Sequence, residues 1–189
     1  MTTTLITGAN KGLGYETARR LIAAGHTVWI GARDETRGQQ AADELGATFV
    51  QLDVTDEASV ASAASVVGAA GELDVLINNA GVSGPQTEAA DITGADALSV
   101  FDTNLIGIVR VTHAFLPLLQ NSPAPRIVNV TSGLGSFAAV HDESRIESKV
   151  VAPLYTASKS AVTMLTVQYA KALPQIRINA ADPGYPPRT

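Results

Sequence analysis

Short apolar runs alternate with longer amphipathic stretches along the whole chain. The runs at residues 3–7, 27–32, 48–52, 73–78, 126–131 and 176–180 read as strands. The stretches at 13–24, 35–45, 57–70, 97–120 and 154–173 carry apolar positions three and four apart and read as helices. Runs such as "DVLIN" and "RIVNV" are nearly continuous in apolar residues, as strands covered on both faces must be. The alternation predicts an α/β fold in which a doubly wound parallel sheet lies between two helical layers, in a single domain over residues 1–189.

Two irregular segments, 81–94 and 132–153, each follow the carboxyl end of a predicted strand. Open α/β sheets gather their ligands there, and connections this long are often functional, although variable surface loops have the same pattern. Composition narrows the classes. With 46% hydrophobic and 16% charged residues the 189-residue chain is that of an ordinary soluble domain. A net charge of -5 with no basic cluster excludes the electrostatic footprint of a nucleic-acid binder. Cysteine is absent, which excludes disulfides and thiolate metal centres. The start, "MTTTLITGAN", lacks the charged and apolar regions of a secretory leader, and no run approaches the roughly 20 apolar residues that cross a bilayer. A cytoplasmic protein with no membrane partner is expected.

Chemistry enters at the first strand, which runs directly into Thr7-Gly8-Ala9-Asn10-Lys11-Gly12-Leu13-Gly14 and then a helix. Glycines in such a turn allow a close backbone approach to a pyrophosphate, which the free amides of the helix then face. The spacing Gly-x-x-x-Gly-x-Gly differs from Gly-x-Gly-x-x-Gly, and no Ser or Thr follows Lys11 as a Walker A loop requires. By itself the turn also fits a glycine-rich loop with no ligand. Asn78-Asn79-Ala80-Gly81, after the fourth strand, adds a second element at the same edge of the sheet, although Asn and Gly are also ordinary turn formers.

In "YTASK", Tyr155 and Lys159 stand at i and i+4 and so share one helix face. A free phenol titrates near pKa 10; a neighbouring ammonium stabilises the phenolate and makes proton exchange with a substrate oxygen feasible near neutrality. Ser132, in "NVTSG" at the end of the fifth strand, offers a hydroxyl to hold that oxygen, or simply caps a loop.

Together these motifs resemble one family, the short-chain dehydrogenases/reductases. The glycine turn at 7–14, Asn-Asn-Ala-Gly at 78–81, Asn104 in "FDTNLIG", Ser132, and Tyr155 with Lys159 follow the family's order over nearly the whole chain. "TGANKGLG" and "ARDETRGQQAADEL" are most similar to the carbonyl reductases. The resemblance implies a Rossmann-like sheet and an oxidoreductase that moves a hydride between a nicotinamide cofactor and a carbonyl or alcohol. It implies that Tyr155 is the general acid or base, that Lys159 activates it and binds the nicotinamide ribose, that Ser132 orients the substrate oxygen, and that Asn104 supports a water-linked proton relay. It places Gly8, Asn10, Lys11, Gly12, Leu13 and Gly14 along the pyrophosphate, Asp53 and Val54 at the adenine, and Asn79, Ala80, Gly81, Pro183 and Gly184 beside the cofactor. Asp53 also reads as a turn acid after the third strand.

At the end of the second strand the position that selects NAD when acidic holds Ala32, followed by Arg33, with Lys11 and Arg37 within reach of a 2'-phosphate. NADP(H) is therefore expected in preference to NAD(H), with Asp34 the counter-signal. Between Ser132 and Tyr155 the chain is longer than the family's commonest spacing. The extra residues, "AAVHDESRIESKV", are expected to form a solvated insertion at the rim of the site, with His141 and Glu143 its solvated polar groups rather than metal ligands. After Pro183-Gly184, "YPPRT" stands where the family's substrate loop and last strand begin, so the chain is expected to lack them; Thr189 is offset from the family's threonine. A homodimer or homotetramer through the helices at 97–120 and 154–173 is expected, with a small-molecule carbonyl or alcohol as substrate. The alternative is a non-catalytic NADP(H)-binding sensor or interaction protein with the same fold.

Overall fold

The computed structural model describes residues 1–184; the segment 185–189, with Thr189, lies outside the described residues. In chain order the elements are β1 (Thr3–Thr7), α1 (Gly12–Ala23), β2 (Thr27–Ala32), α2 (Glu35–Leu45), β3 (Thr48–Gln51), α3 (Glu57–Ala70), β4 (Val75–Asn78), α4 (Gly94–Phe101), a π-helical turn (Asp102–Ile106), α5 (Gly107–Gln120), β5 (Arg126–Val130), α6 (Phe137–His141), α7 (Pro153–Ala172) and β6 (Arg177–Ala181). The strands form one sheet in the order β3-β2-β1-β4-β5-β6, and every neighbouring pair is parallel. This is the doubly wound parallel sheet expected from the alternation, in the Rossmann-like arrangement that the resemblance implies. Strand order reverses between β1 and β4, which opens a crevice at their carboxyl ends.

Register explains why the strands are apolar throughout. Leu5 lies opposite Trp29 and Leu76, and Leu76 opposite Ile127; this row packs with Val60 and Val67 of α3 and Phe115 of α5. One residue further on, Ile6 lies opposite Ile30 and Ile77 and packs with Ala18 of α1 and Ala41 of α2. A slip of one residue would exchange the two faces, so both layers specify the same register.

The helix boundaries follow local chemistry. Asp34 and Asp56 accept hydrogen bonds from Arg37 N and Ala58 N at the starts of α2 and α3. Thr93 and Asp96 form a capping box that starts α4 at Gly94, earlier than the expected 97. The expected helix at 97–120 is interrupted by the π turn. The strand expected at 73–78 begins pairing at Val75. Leu73 is fully buried, but Asp74 N–H already bonds Thr3 O at 3.0 Å, outside the ladder. The segment 132–153 contains 3-10 turns at Gly133–Gly135 and Ile146–Lys149 as well as α6. No helix among the described residues is long and apolar enough to cross a membrane.

Candidate active site

A cavity of about 590 Å³ fills the crevice at the β1–β4 switch. Its walls carry Gly8, Asn10, Lys11, Gly12, Leu13 and Gly14 from the first turn and Asn79, Ala80 and Gly81 from the turn after β4. The two turns are bound together. Thr7 Oγ1 accepts hydrogen bonds from Asn79 N and Ala80 N, both at 3.0 Å, and Asn79 Nδ2 donates to Thr7 O at 2.8 Å. That closeness requires glycine. A methyl group on Gly8, whose φ is +65°, would lie 2.9 Å from Ala80 Cα, and one on Gly14 would lie 2.6 Å from Asn79 Nδ2. Helix α1 therefore starts at the cavity with Lys11 as its N-cap, no side-chain cap and no acidic residue in its first turn. Uncapped amides at the positive end of a helix dipole are chemistry for an anion such as a pyrophosphate.

Arg33, Asp53 and Val54 line the far end of the same cavity. Asp34 and Arg37 do not. The Asp34 carboxylate caps α2 through Arg37 N at 2.9 Å and pairs with Arg37 Nε at 3.0 Å, so these two charges satisfy each other on the surface of the helix. Asp53, while on the wall, also closes its own turn, its Oδ1 accepting from both Thr55 N and Thr55 Oγ1. Val54 is held from behind, where Arg110 Nη1 donates to its carbonyl at 3.2 Å while Nε and Nη2 pair with Glu57 and Asp102.

At the near end stand Tyr155, Lys159, Thr131 and Pro183. Lys159 is only 4% exposed, donates from Nζ to Val130 O at 2.8 Å, and lies 5.6 Å from the centre of the Tyr155 ring. Burial lowers its pKa to about 8, because removing an ammonium from water disfavours the charged form. Asn104 is fully buried behind this wall. Its Oδ1 accepts from Val82 N at 2.8 Å, and its Nδ2 donates to Val82 O at 2.9 Å and to Ser158 Oγ at 3.0 Å. A methyl group on Gly81 would lie 3.3 Å from Asn104 Oδ1 and 3.6 Å from Lys159 Nζ, so both side chains converge on that point of the backbone. Asn104 itself sits within the π turn.

Ser132 is not on the cavity wall. It caps the Gly133–Gly135 turn, its Oγ accepting from Leu134 N at 3.2 Å, immediately after Thr131, which is on the wall. Gly184 also lies off the wall, next to Pro183, with its N–H bonded to Asp182 Oδ1 at 3.0 Å. The insertion is only partly solvated. Asp142, Glu143 and Ser144 are exposed, and the His141 ring stands 2.7 Å from Phe137 O, but Glu147 is buried against Arg145.

A family model described as short chain dehydrogenase matches residues 2–187. The chain belongs to the short-chain dehydrogenase/reductase family. It is 34% identical over 260 residues to a (-)-isopiperitenone reductase of Mentha piperita, covering 96% of this chain and 83% of that protein. Among solved structures, the salutaridine reductase of Papaver somniferum superposes with a TM-score of 0.83 at 28% identity, covering 97% of this chain and 86% of that one. A 3-ketoacyl-(acyl-carrier-protein) reductase of Brucella melitensis complexed with NADH gives 0.84 at 26% identity, over 97% and 75%. The chain is thus an oxidoreductase of a family that binds nicotinamide cofactors. Within this short-chain dehydrogenase/reductase, Ser158, Arg110 and Glu147 belong to the surroundings of the site and carry no motif of their own. Only their partners in space mark them.

Proposed function

We propose that this protein is an NADP(H)-dependent oxidoreductase that interconverts a small-molecule carbonyl and the corresponding secondary alcohol. The observation that carries the reading is the buried Lys159 ammonium, 5.6 Å from the Tyr155 ring, on the wall of a cavity whose other end is an uncapped helix N-terminus. When bound, NADP(H) supplies the hydride for carbonyl reduction or accepts it in alcohol oxidation. Tyr155 gives its phenolic proton to the carbonyl oxygen and takes it back in the reverse direction. Lys159 favours the phenolate that this leaves and holds the nicotinamide ribose hydroxyls. Ser132 orients the substrate oxygen, and Asn104, fixed to Val82 and Ser158, supports a water-linked proton path behind Lys159.

Preference for NADP(H) is supported by the charges at the adenine end. Lys11 and Arg33 line the cavity, while the Asp34 carboxylate that would repel a 2'-phosphate is committed to Arg37. Two relatives named (+)-neomenthol dehydrogenase, after a secondary alcohol, support an alcohol and its ketone as the group acted on. The test is NADPH oxidation that depends on an added ketone or aldehyde, with NADH slower. Tight NADPH binding with no oxidation across a broad carbonyl panel would instead mark a non-catalytic binder.

A homodimer or homotetramer is supported by apolar side chains left in water on adjoining helices. Leu98 of α4 is 71% exposed and Met164 of α7 60%, with Ile106, Val109 and Val167 also exposed. Sedimentation equilibrium showing a monomer at micromolar concentration would remove this assignment.

A further inference from the structure

Glu147 is an anomaly among the charges of the insertion. Its neighbours Ser144, Arg145 and Ile146 are exposed, yet it is only 6% exposed. Arg145 grips its carboxylate with two nitrogens, Nη2 to Oε1 at 2.8 Å and Nε to Oε2 at 3.2 Å. An acid is costly to bury, and pairing only offsets that cost, so a solvated loop has no reason to turn this side chain inward.

What the carboxylate meets is the backbone beside Ser132. A methyl group on Gly133 would lie 2.5 Å from Glu147 Oε1 and 3.1 Å from Asp182 Oδ2. Gly133 has no positive φ, so a side chain there would be resisted by the Glu147 carboxylate, which would have to move aside, and not by the backbone conformation. Three segments therefore meet at one Cα: the turn after β5, the insertion, and the chain leaving β6. The turn is tied at its other end. Gly135 N donates to Ser132 O at 2.8 Å, and Ser160 Oγ of α7 donates to Gly135 O at 3.0 Å. Asp182 in turn holds Gly184 N and precedes Pro183 on the cavity wall.

We infer that Glu147 is a positioning residue for Ser132: clamped by Arg145, its carboxylate forms the surface on which the Ser132–Gly135 turn rests and fixes that turn relative to α7 and the end of β6. The inference rests on the proposed role of Ser132 in orienting the substrate oxygen. Glu147 touches neither the cofactor cavity nor the reacting groups, so its removal acts on the serine and leaves cofactor binding intact.

The experiment compares wild type with Glu147→Ala, Glu147→Gln and Gly133→Ala. It measures kcat/KM for the best carbonyl substrate, NADPH affinity by fluorescence titration, and hydrogen exchange of the amides at 134–136. For Glu147→Ala and Gly133→Ala we expect kcat/KM to fall at least about tenfold and exchange at 134–136 to accelerate, with NADPH Kd within about twofold of wild type. Glu147→Gln, which keeps the shape and one hydrogen bond, should recover part of the loss. Unchanged kcat/KM with unchanged exchange overturns the inference, as does a loss of NADPH affinity equal to the loss of kcat/KM, which would signal general damage. If Glu147→Ala does not fold, Gly133→Ala decides by the same readouts. If wild type binds NADPH but oxidises it with none of the carbonyls in the panel, the proposed function fails, and the exchange measurement still judges the inference: acceleration supports the clamp and its absence refutes it.

Discussion

Replacing Lys159 with methionine should stabilise the fold at neutral pH while abolishing turnover. The ammonium is buried, and its pKa drops from 10.5 to about 8 on folding. At about 1.4 kcal/mol for each pKa unit, the charged form costs the folded state about 3 kcal/mol. Lys159→Met removes that cost and forfeits the charge-assisted hydrogen bond to Val130 O, a loss of about 2 kcal/mol. The net gain at pH 7 is about 1 kcal/mol, or a Tm higher by roughly 2–4 °C for a chain of this size. The pH dependence gives the argument its sign. The folded pKa of a base is depressed, so between about pH 8 and pH 10.5 the unfolded chain binds the extra proton, and wild-type stability rises with pH across that window. Below about pH 8 the penalty is present in full. Urea unfolding of both proteins at pH 7 and at about pH 10 therefore shows the variant losing roughly 2 kcal/mol relative to wild type. A difference between the two proteins that stays constant with pH would refute the assignment of a buried, cost-bearing ammonium.

Three further outcomes follow from the same geometry. Ala32→Asp with Arg33→Ala should shift preference from NADPH towards NADH in kcat/KM ratios, because a carboxylate replaces a cation beside the adenine ribose; a wild type that already prefers NADH contradicts this. Asn104→Leu takes the partner from Val82 N and O and one of two from Ser158 Oγ, and should cost about 2–4 kcal/mol, read as a lower urea midpoint; an unchanged midpoint would mean that the contacts carry little. Arg110→Met releases Val54 O from behind the adenine end. It should raise KM for NADPH about tenfold while leaving turnover with reduced nicotinamide mononucleotide, which lacks the adenine, within about twofold.

Most of this architecture is written locally. Strands buried on two faces must be apolar at consecutive positions, so "VLIN" and "RIVNV" announce both their element and their place in the sheet. The glycine turn was legible for a related reason: close backbone approach excludes Cβ atoms, and glycine is the only residue that records this in the sequence. Other features depend on contacts that no local pattern encodes. An apolar run reports burial rather than pairing, so Leu73 lay in the predicted strand although the ladder begins at Val75. The π turn at Asp102–Ile106 lies inside a run that reads as one α-helix, and no local pattern marks it. Glu147, surrounded by charges, has the sequence of a solvated loop. It packs against Gly133, 14 positions earlier in the chain, a contact that no local pattern records.

The central claim is that Tyr155, beside the buried Lys159, transfers the proton in a nicotinamide-dependent reaction. Its most direct test is the rate of NADPH oxidation with the best carbonyl substrate in wild type and in Tyr155→Phe, alongside NADPH affinity. The substitution removes one oxygen, so cofactor affinity should stay within about threefold while turnover falls by at least about a hundredfold. A Tyr155→Phe protein that turns over at the wild-type rate would contradict the account.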